Sequence, residues 1–144
     1  MMILRKTLTI NAPAQQVFDY WADFSNFQQF IPMINSIDII DDKRSRWIID
    51  APLGHKVTFE SLITIFEPAK NLVWESHHDN GHARGELKLA ELGNKTKVEL
   101  DFEYSLHQNW MQNIASLVSN FGFPSLAFDH GLARIKEKIE KDNF

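Results

Sequence analysis

Four side chains of this sequence have the types and spacing to act on a bound molecule: Ser61, Ser76, His78 and Tyr104. A serine hydroxyl both donates and accepts a hydrogen bond, an imidazole moves a proton near neutral pH, and a phenol donates to a carbonyl. Ser61 or Ser76 beside His78 supplies two parts of a nucleophilic site. The third orienting group and the oxyanion site that complete such chemistry have no candidate here. G-x-S-x-G, P-loop and dinucleotide signatures are absent from the sequence, so no catalytic residue is assigned. With no cysteine among the 144 residues, a thiol nucleophile is excluded and a zinc site would need histidines and carboxylates. His77, His78, His82 and Asp79 look like such a cluster. Strand alternation instead sends His77 and His82 to one face and His78 to the other, so neither a metal nor another cofactor is expected.

These groups need strands to carry them. Leu4, Leu8 and Ile10 alternate with Arg5, Thr7 and Thr9, which predicts a half-buried first strand. Pro13 suits the first position of a helix whose apolar face is Val17, Trp21 and Phe24. Ser25 and Gln28 then read as a capping box for a second short helix with Phe27, Phe30 and Ile31 inside. From Ile34 to Tyr104, five short connections predict six antiparallel strands in a meander. The period changes again after Leu106. Trp110, Met111, Ile114, Leu117, Val118 and Phe121 form a helical stripe ending at Gly122, and a longer helix runs from Pro124 to Lys141 with Phe128, Leu132, Ile135 and Ile139 inward.

Turn chemistry registers the last four strands. Symmetric pairing about Pro68-Ala69, Asn80-Gly81 and Gly93-Asn94 places Ile65, Leu72, Leu89 and Val98 in one row. The next rows are Ile63, Trp74, Leu87 and Leu100, then Ser61, Ser76, Gly85 and Phe102, then Phe59, His78, Ala83 and Tyr104. The opposite face takes nearly all the charge, together with Leu62, Phe66 and Val73. Small residues at Ser61, Ser76 and Gly85 cannot fill a core at native density, so a void is expected there, facing Phe128 and Leu132. The pocket so defined is apolar at Ile63, Trp74 and Leu87, and polar where Ser61, Ser76, His78 and Tyr104 converge.

The net charge of −4 argues against a broad grip on nucleic acid or an anionic membrane. No stretch reaches the ~20 apolar residues of a membrane span, which makes a cytoplasmic protein the default. Oligomeric state stays open. One domain over residues 1–144 is expected from the length.

The order of strand, two short helices, six-strand meander and long C-terminal helix resembles the helix-grip fold of START-like proteins. The stretches LTINAPAQQVFDYWADFSNFQQFIPMI, IDDKRSRWIIDAPLG, LVWES, GELKL and LARIKEKIE resemble the polyketide cyclase/dehydrase and lipid-transport family of that superfamily. The resemblance implies an α+β fold, a curved seven-stranded antiparallel sheet with two short helices after the first strand and a long C-terminal helix over its concave face. It also implies an internal cavity for a hydrophobic or amphiphilic small molecule such as a lipid, isoprenoid or aromatic polyketide. The expected contacts are Trp47, Phe59, Ser61, Ile63, Trp74, Ser76, His78, Gly85, Leu87, Phe102, Tyr104, Phe128 and Leu132. Cyclase or dehydratase chemistry in the same cavity is an alternative, with His78 moving a proton and Tyr104 donating to a carbonyl. A third reading is a protein-interaction module using an outward patch of Leu62, Phe66 and Val73.

Overall fold

A computed structural model describes residues 2–29, 34–50, 54, 56–78, 81–106 and 125–142. Strand β1 (Met2–Ile10) leads into helix α1 (Ala14–Ala22) and a short 3-10 helix (Phe24–Gln29). The meander follows: β2 (Ile34–Ile39), β3 (Arg44–Asp50), β4 (Lys56–Glu67), β5 (Asn71–His78), β6 (Gly81–Leu92) and β7 (Lys95–Leu106). Helix α2 (Ser125–Asp142) ends the described chain. The strands form one antiparallel seven-stranded sheet in the order β1-β7-β6-β5-β4-β3-β2. The meander expected from the turns is therefore present, with the first strand returning to pair with the last. The helix expected from Trp110 to Phe121 lies outside the described residues.

The start of the helical segment differs in detail from the expectation. Pro13 stands just before α1 as its cap, and its carbonyl accepts the Val17 N–H at 3.1 Å. Ser25 does not cap the second helix. Asp23 does so, accepting from the Ser25 backbone N–H at 3.2 Å and the Ser25 hydroxyl at 2.6 Å, while Gln28 donates to the Asn35 carbonyl at 2.9 Å. The Asp23 carboxylate accepts both bonds, and the Ser25 hydroxyl is spent as the donor in one of them. The second segment is correspondingly tight, a 3-10 turn.

The β6–β7 register is the expected one, with Leu89 opposite Val98, Leu87 opposite Leu100 and Gly85 opposite Phe102. At β4–β5 the turn is one residue longer than expected: Glu67 pairs with Asn71, and Ala69 takes a left-handed φ of 64°. A bulge between Ile63 and Ile65 absorbs that residue, so Ser61 opposite Ser76 and Ile63 opposite Trp74 are as expected. Beyond the bulge the faces exchange. Ile65 moves to the outer face opposite Val73, and Phe66 moves inward opposite Leu72 and packs edge-on against Phe18 of α1 at 5.1 Å.

At β5–β6 the pairing is shifted by two residues. His78 opposes Gly81, where a turn centred on Asn80-Gly81 would have paired it with Ala83. Trp74 therefore faces Gly85, Ser76 faces Ala83, and Leu72 faces Leu87. A shift of two preserves the faces and moves the rows.

Both helices cover the inner face. Val17, Phe18 and Trp21 of α1 and Leu132, Ile135 and Ile139 of α2 share one core with Leu72, Trp74, Leu87 and Leu100. Three polar contacts hold α2 to the N-terminal segment: Lys6 Nζ to Asp129 Oδ1 at 2.8 Å, the Asn11 N–H to Glu140 Oε1 at 2.9 Å, and Gln16 Nε2 to the Ile139 carbonyl at 3.3 Å. The outer face carries cross-strand and neighbouring ion pairs, Arg5 with Asp101 at 3.7 Å, Arg46 with Glu60 at 3.1 Å and Arg84 with Glu86 at 3.4 Å. The proposed outward patch does not form. Val73 is buried at 1%, and Phe66, although 43% exposed, lies on the inner side against Phe18 of α1, which leaves Leu62 of the three exposed on the outer face.

Candidate ligand site on the inner face

Strand pairing sets three serines side by side. Ser45 of β3 opposes Ser61 of β4, which opposes Ser76 of β5, and Ala83 of β6 continues the row. Register partners share a face, so the three hydroxyls lie along one line at ~4.8 Å per strand. All three are buried, at 3%, 4% and 9% exposure. Buried hydroxyls cost stability unless bonded, and these are bonded to one another and to a ring. Ser61 and Ser76 share a hydrogen bond through their Oγ atoms, and the Trp47 Nε1–H donates to Ser45 Oγ at 2.8 Å. Each hydroxyl carries one proton. The shared bond uses one of the two in the Ser61–Ser76 pair, and Ser45 acts as acceptor toward Trp47. The row thus retains two O–H donors for which the described hydrogen bonds give no acceptor.

Rings border this row. Phe24 stands within 5.5 Å of Trp47 and 5.4 Å of Trp74, both at 64°, and Phe27 stacks on Trp47 at 6.0 Å. Trp21 joins through Phe27 at 5.7 Å. Such pairs each contribute about 0.5–1.5 kcal/mol beyond burial and hold their partners in fixed orientations.

The void expected over Gly85 is filled. A Cβ on Gly85 would stand 2.2 Å from two carbons of the Trp74 indole, so the glycine exists to admit that ring. The small-residue row runs through Ser45, Ser61, Ser76 and Ala83 instead. Among the other expected contacts, Ile63, Leu87 and Leu132 are buried on the inner side, while Trp47, Phe59 and Phe102 are half-buried. His78 and Tyr104 occupy strand positions in β5 and β7, and Phe128 lies within α2; their side chains are outside the described residues. The structure does not bring His78 opposite Ala83, since its register partner is Gly81. His77 and His82 face one another as exposed outer-face partners, and no group of three metal-ligating side chains occurs among the described residues.

Ser45 was missed by turn-based registration because β3 and β4 are not joined by a two-residue turn. The alternation Ser45-Arg46-Trp47, with an apolar ring two residues on, was the available signal.

An open seven-stranded antiparallel sheet with its C-terminal helix packed into the inner-face core is a START-like arrangement. The chain belongs to the polyketide cyclase/dehydrase and lipid transport family, whose model matches residues 10–122. Solved structures agree over the whole length. A Deinococcus radiodurans protein is 26% identical with a TM-score of 0.75, covering 99% of each chain. A START superfamily protein from Mycobacterium smegmatis is 14% identical with a TM-score of 0.68, covering 96% of this chain and 97% of its own. The ZhuI aromatase/cyclase from a Streptomyces species is 18% identical with a TM-score of 0.72, covering 97% and 94%. The search of curated proteins gave no match.

Proposed function

We propose that this chain is a binding or carrier domain for a hydrophobic or amphiphilic small molecule held on the inner face of the sheet. The observation that supports this most directly is the buried serine row, in which two hydroxyl protons have no acceptor among the described residues, on a ring-lined inner surface. Hydroxyls are neutral donors and suit a carbonyl, ether or alcohol oxygen on an apolar frame. Trp47, Phe59, Ile63 and Phe102 supply the apolar contact, and His78, Tyr104 and Phe128 belong to the same proposed site through their strand and helix positions. Lipids, isoprenoids and aromatic polyketides all satisfy this description. The family membership and the START-like fold support the same reading.

Native mass spectrometry of freshly purified protein, followed by extraction of retained material, tests it. A reproducible adduct in the wild type that is lost from Ser61→Ala/Ser76→Ala is expected. Repeated recovery of bare protein, with no protection of Ser61 or Ser76 amides by added lipid or polyketide, would sink the proposal. The cyclase alternative rests on the aromatase/cyclase among the structural neighbours. It predicts that His78→Ala stops turnover of a reactive chain while leaving its affinity intact.

A further inference from the structure

An opening lies at the β3 end of the serine row. It measures about 160 Å³ and is half open to solvent, between the corner joining α1 to the 3-10 helix and the β2–β3 turn. Ala22, Phe24, Ile39 and Ile63 form its walls, and Ser45 lines it as well. Its volume is enough for one ring, since an enclosed cavity of ~150 Å³ holds benzene. Inside its charged rim, the buried polar group is Ser45. Ser45 is 3% exposed, its Oγ already accepts the Trp47 Nε1–H, and its own proton has no acceptor among the described residues.

The charged groups at the rim favour neither sign. Asp41 is occupied by the backbone N–H groups of Lys43 and Arg44 at 2.9 and 2.8 Å, Asp23 by Ser25, and the Lys43 ammonium lies over the Phe66 ring at 4.4 Å. Asp42 and Arg44, both exposed, complete the rim with opposite charges, so no single sign of ligand is favoured.

The geometry points to a subsite for a neutral single ring bearing a carbonyl or ether oxygen, with that oxygen accepting from the Ser45 hydroxyl. The ring can be a free small molecule or the end of a longer ligand reaching outward from the inner face. In the second case the subsite rests on the function proposed above, and Ser45 sets which end of that ligand faces out.

Acetophenone and α-methylstyrene have the same heavy-atom skeleton, with a CH₂ in the hydrocarbon where the ketone has oxygen. Titrating each into ¹⁵N-labelled protein, with the Trp47 indole signal identified through Trp47→Phe, reads the subsite directly. The expected result is saturable shifts at Trp47 Nε1–H and at the Ile39, Ser45 and Ile63 amides. The ketone should bind about 2–12-fold more tightly, the value of one net hydrogen bond. Ser45→Ala should bring the two affinities together, and Ile39→Trp, at a half-exposed wall position, should weaken both. Equal affinities in the wild type, unchanged preference in Ser45→Ala, or shifts confined to other residues would overturn the inference.

Octanophenone assigns the source. A gain in affinity with added shifts at Ser61 and Ser76 identifies the end of a longer ligand, whereas affinity equal to that of acetophenone identifies a free ring. A retained natural ligand with a silent Ser45 removes this inference alone. Ring binding at Ser45 in a protein that retains nothing on its inner face removes the function proposed above instead.

Discussion

Trp74 and Gly85 face each other across β5 and β6, and the indole occupies the space where any other residue at 85 would place its Cβ. A ring that needs a glycine beneath it and has Phe24 against it at 5.4 Å has nowhere to retreat.

Gly85→Ala should therefore destabilise the fold by about 1–3 kcal/mol, the usual cost of overpacking. At roughly 3 °C per kcal/mol for a chain of this size, the thermal midpoint should fall by about 3–9 °C. Near-ultraviolet circular dichroism should register the displaced indole. An unchanged midpoint would mean that Trp74 can leave Gly85 freely.

The Ser61–Ser76 bond makes a prediction of coupling. Each serine-to-alanine change should cost about 0.5–1.5 kcal/mol, since the remaining hydroxyl loses its partner inside the protein. The double variant should cost less than the sum of the two singles. Urea titrations of all four proteins measure this, and strict additivity would deny the bond.

Helix α2 is attached by apolar burial more than by charge. Lys6 and Asp129 form a close pair, but with side chains 29% and 48% exposed the pair is worth under about 1 kcal/mol and is screened by salt. Asp129→Asn should have a small effect that vanishes near ~1 M salt. Ile135, 1% exposed, should cost about 2–5 kcal/mol on truncation to alanine. The reverse ranking in chemical denaturation would overturn this account.

Alkaline pH should weaken the protein through Tyr20. Burial raises this phenol above its ordinary value of 10.0, and the carboxylates of Asp142 and Asp23 raise it further. The fold thus favours the neutral form, and the unfolded chain ionises first. Tyr20 contributes full stability below about pH 10 and loses it as pH climbs through the raised folded value. Urea midpoints should fall more steeply above about pH 10 in the wild type than in Tyr20→Phe.

Much of this architecture was legible in the sequence, and the departures have local causes. Gly93-Asn94 offered one frame for its turn, with Gly93 at φ 66°, and the β6–β7 register followed from it. Asn80-Gly81 offered a frame that pairs His78 with Ala83, but His78 pairs with Gly81, which moved Gly85 from the serine row to the Trp74 row. Pro68-Ala69 resembled a two-residue turn, but Ala69 adopts φ 64° within a three-residue one. Left-handed alanine is a minority state that local propensity does not favour. Ser61 and Ser76 could be paired from their turn. Ser45 could not, because the sequence between its strand and β4 holds no two-residue turn motif from which to count the pairing.

The bulge at Ile63 and Ile65 divides β4 into two halves that answer to different neighbours. Ahead of it, Ser61 and Ile63 border the proposed ligand; after it, Phe66 braces α1 through Phe18. A one-residue deletion that straightened this strand would turn Phe66 away from Phe18 or turn the serine away from its row. Recognition and scaffold therefore share a single joint, and an insertion or deletion in β4 cannot retune one while sparing the other.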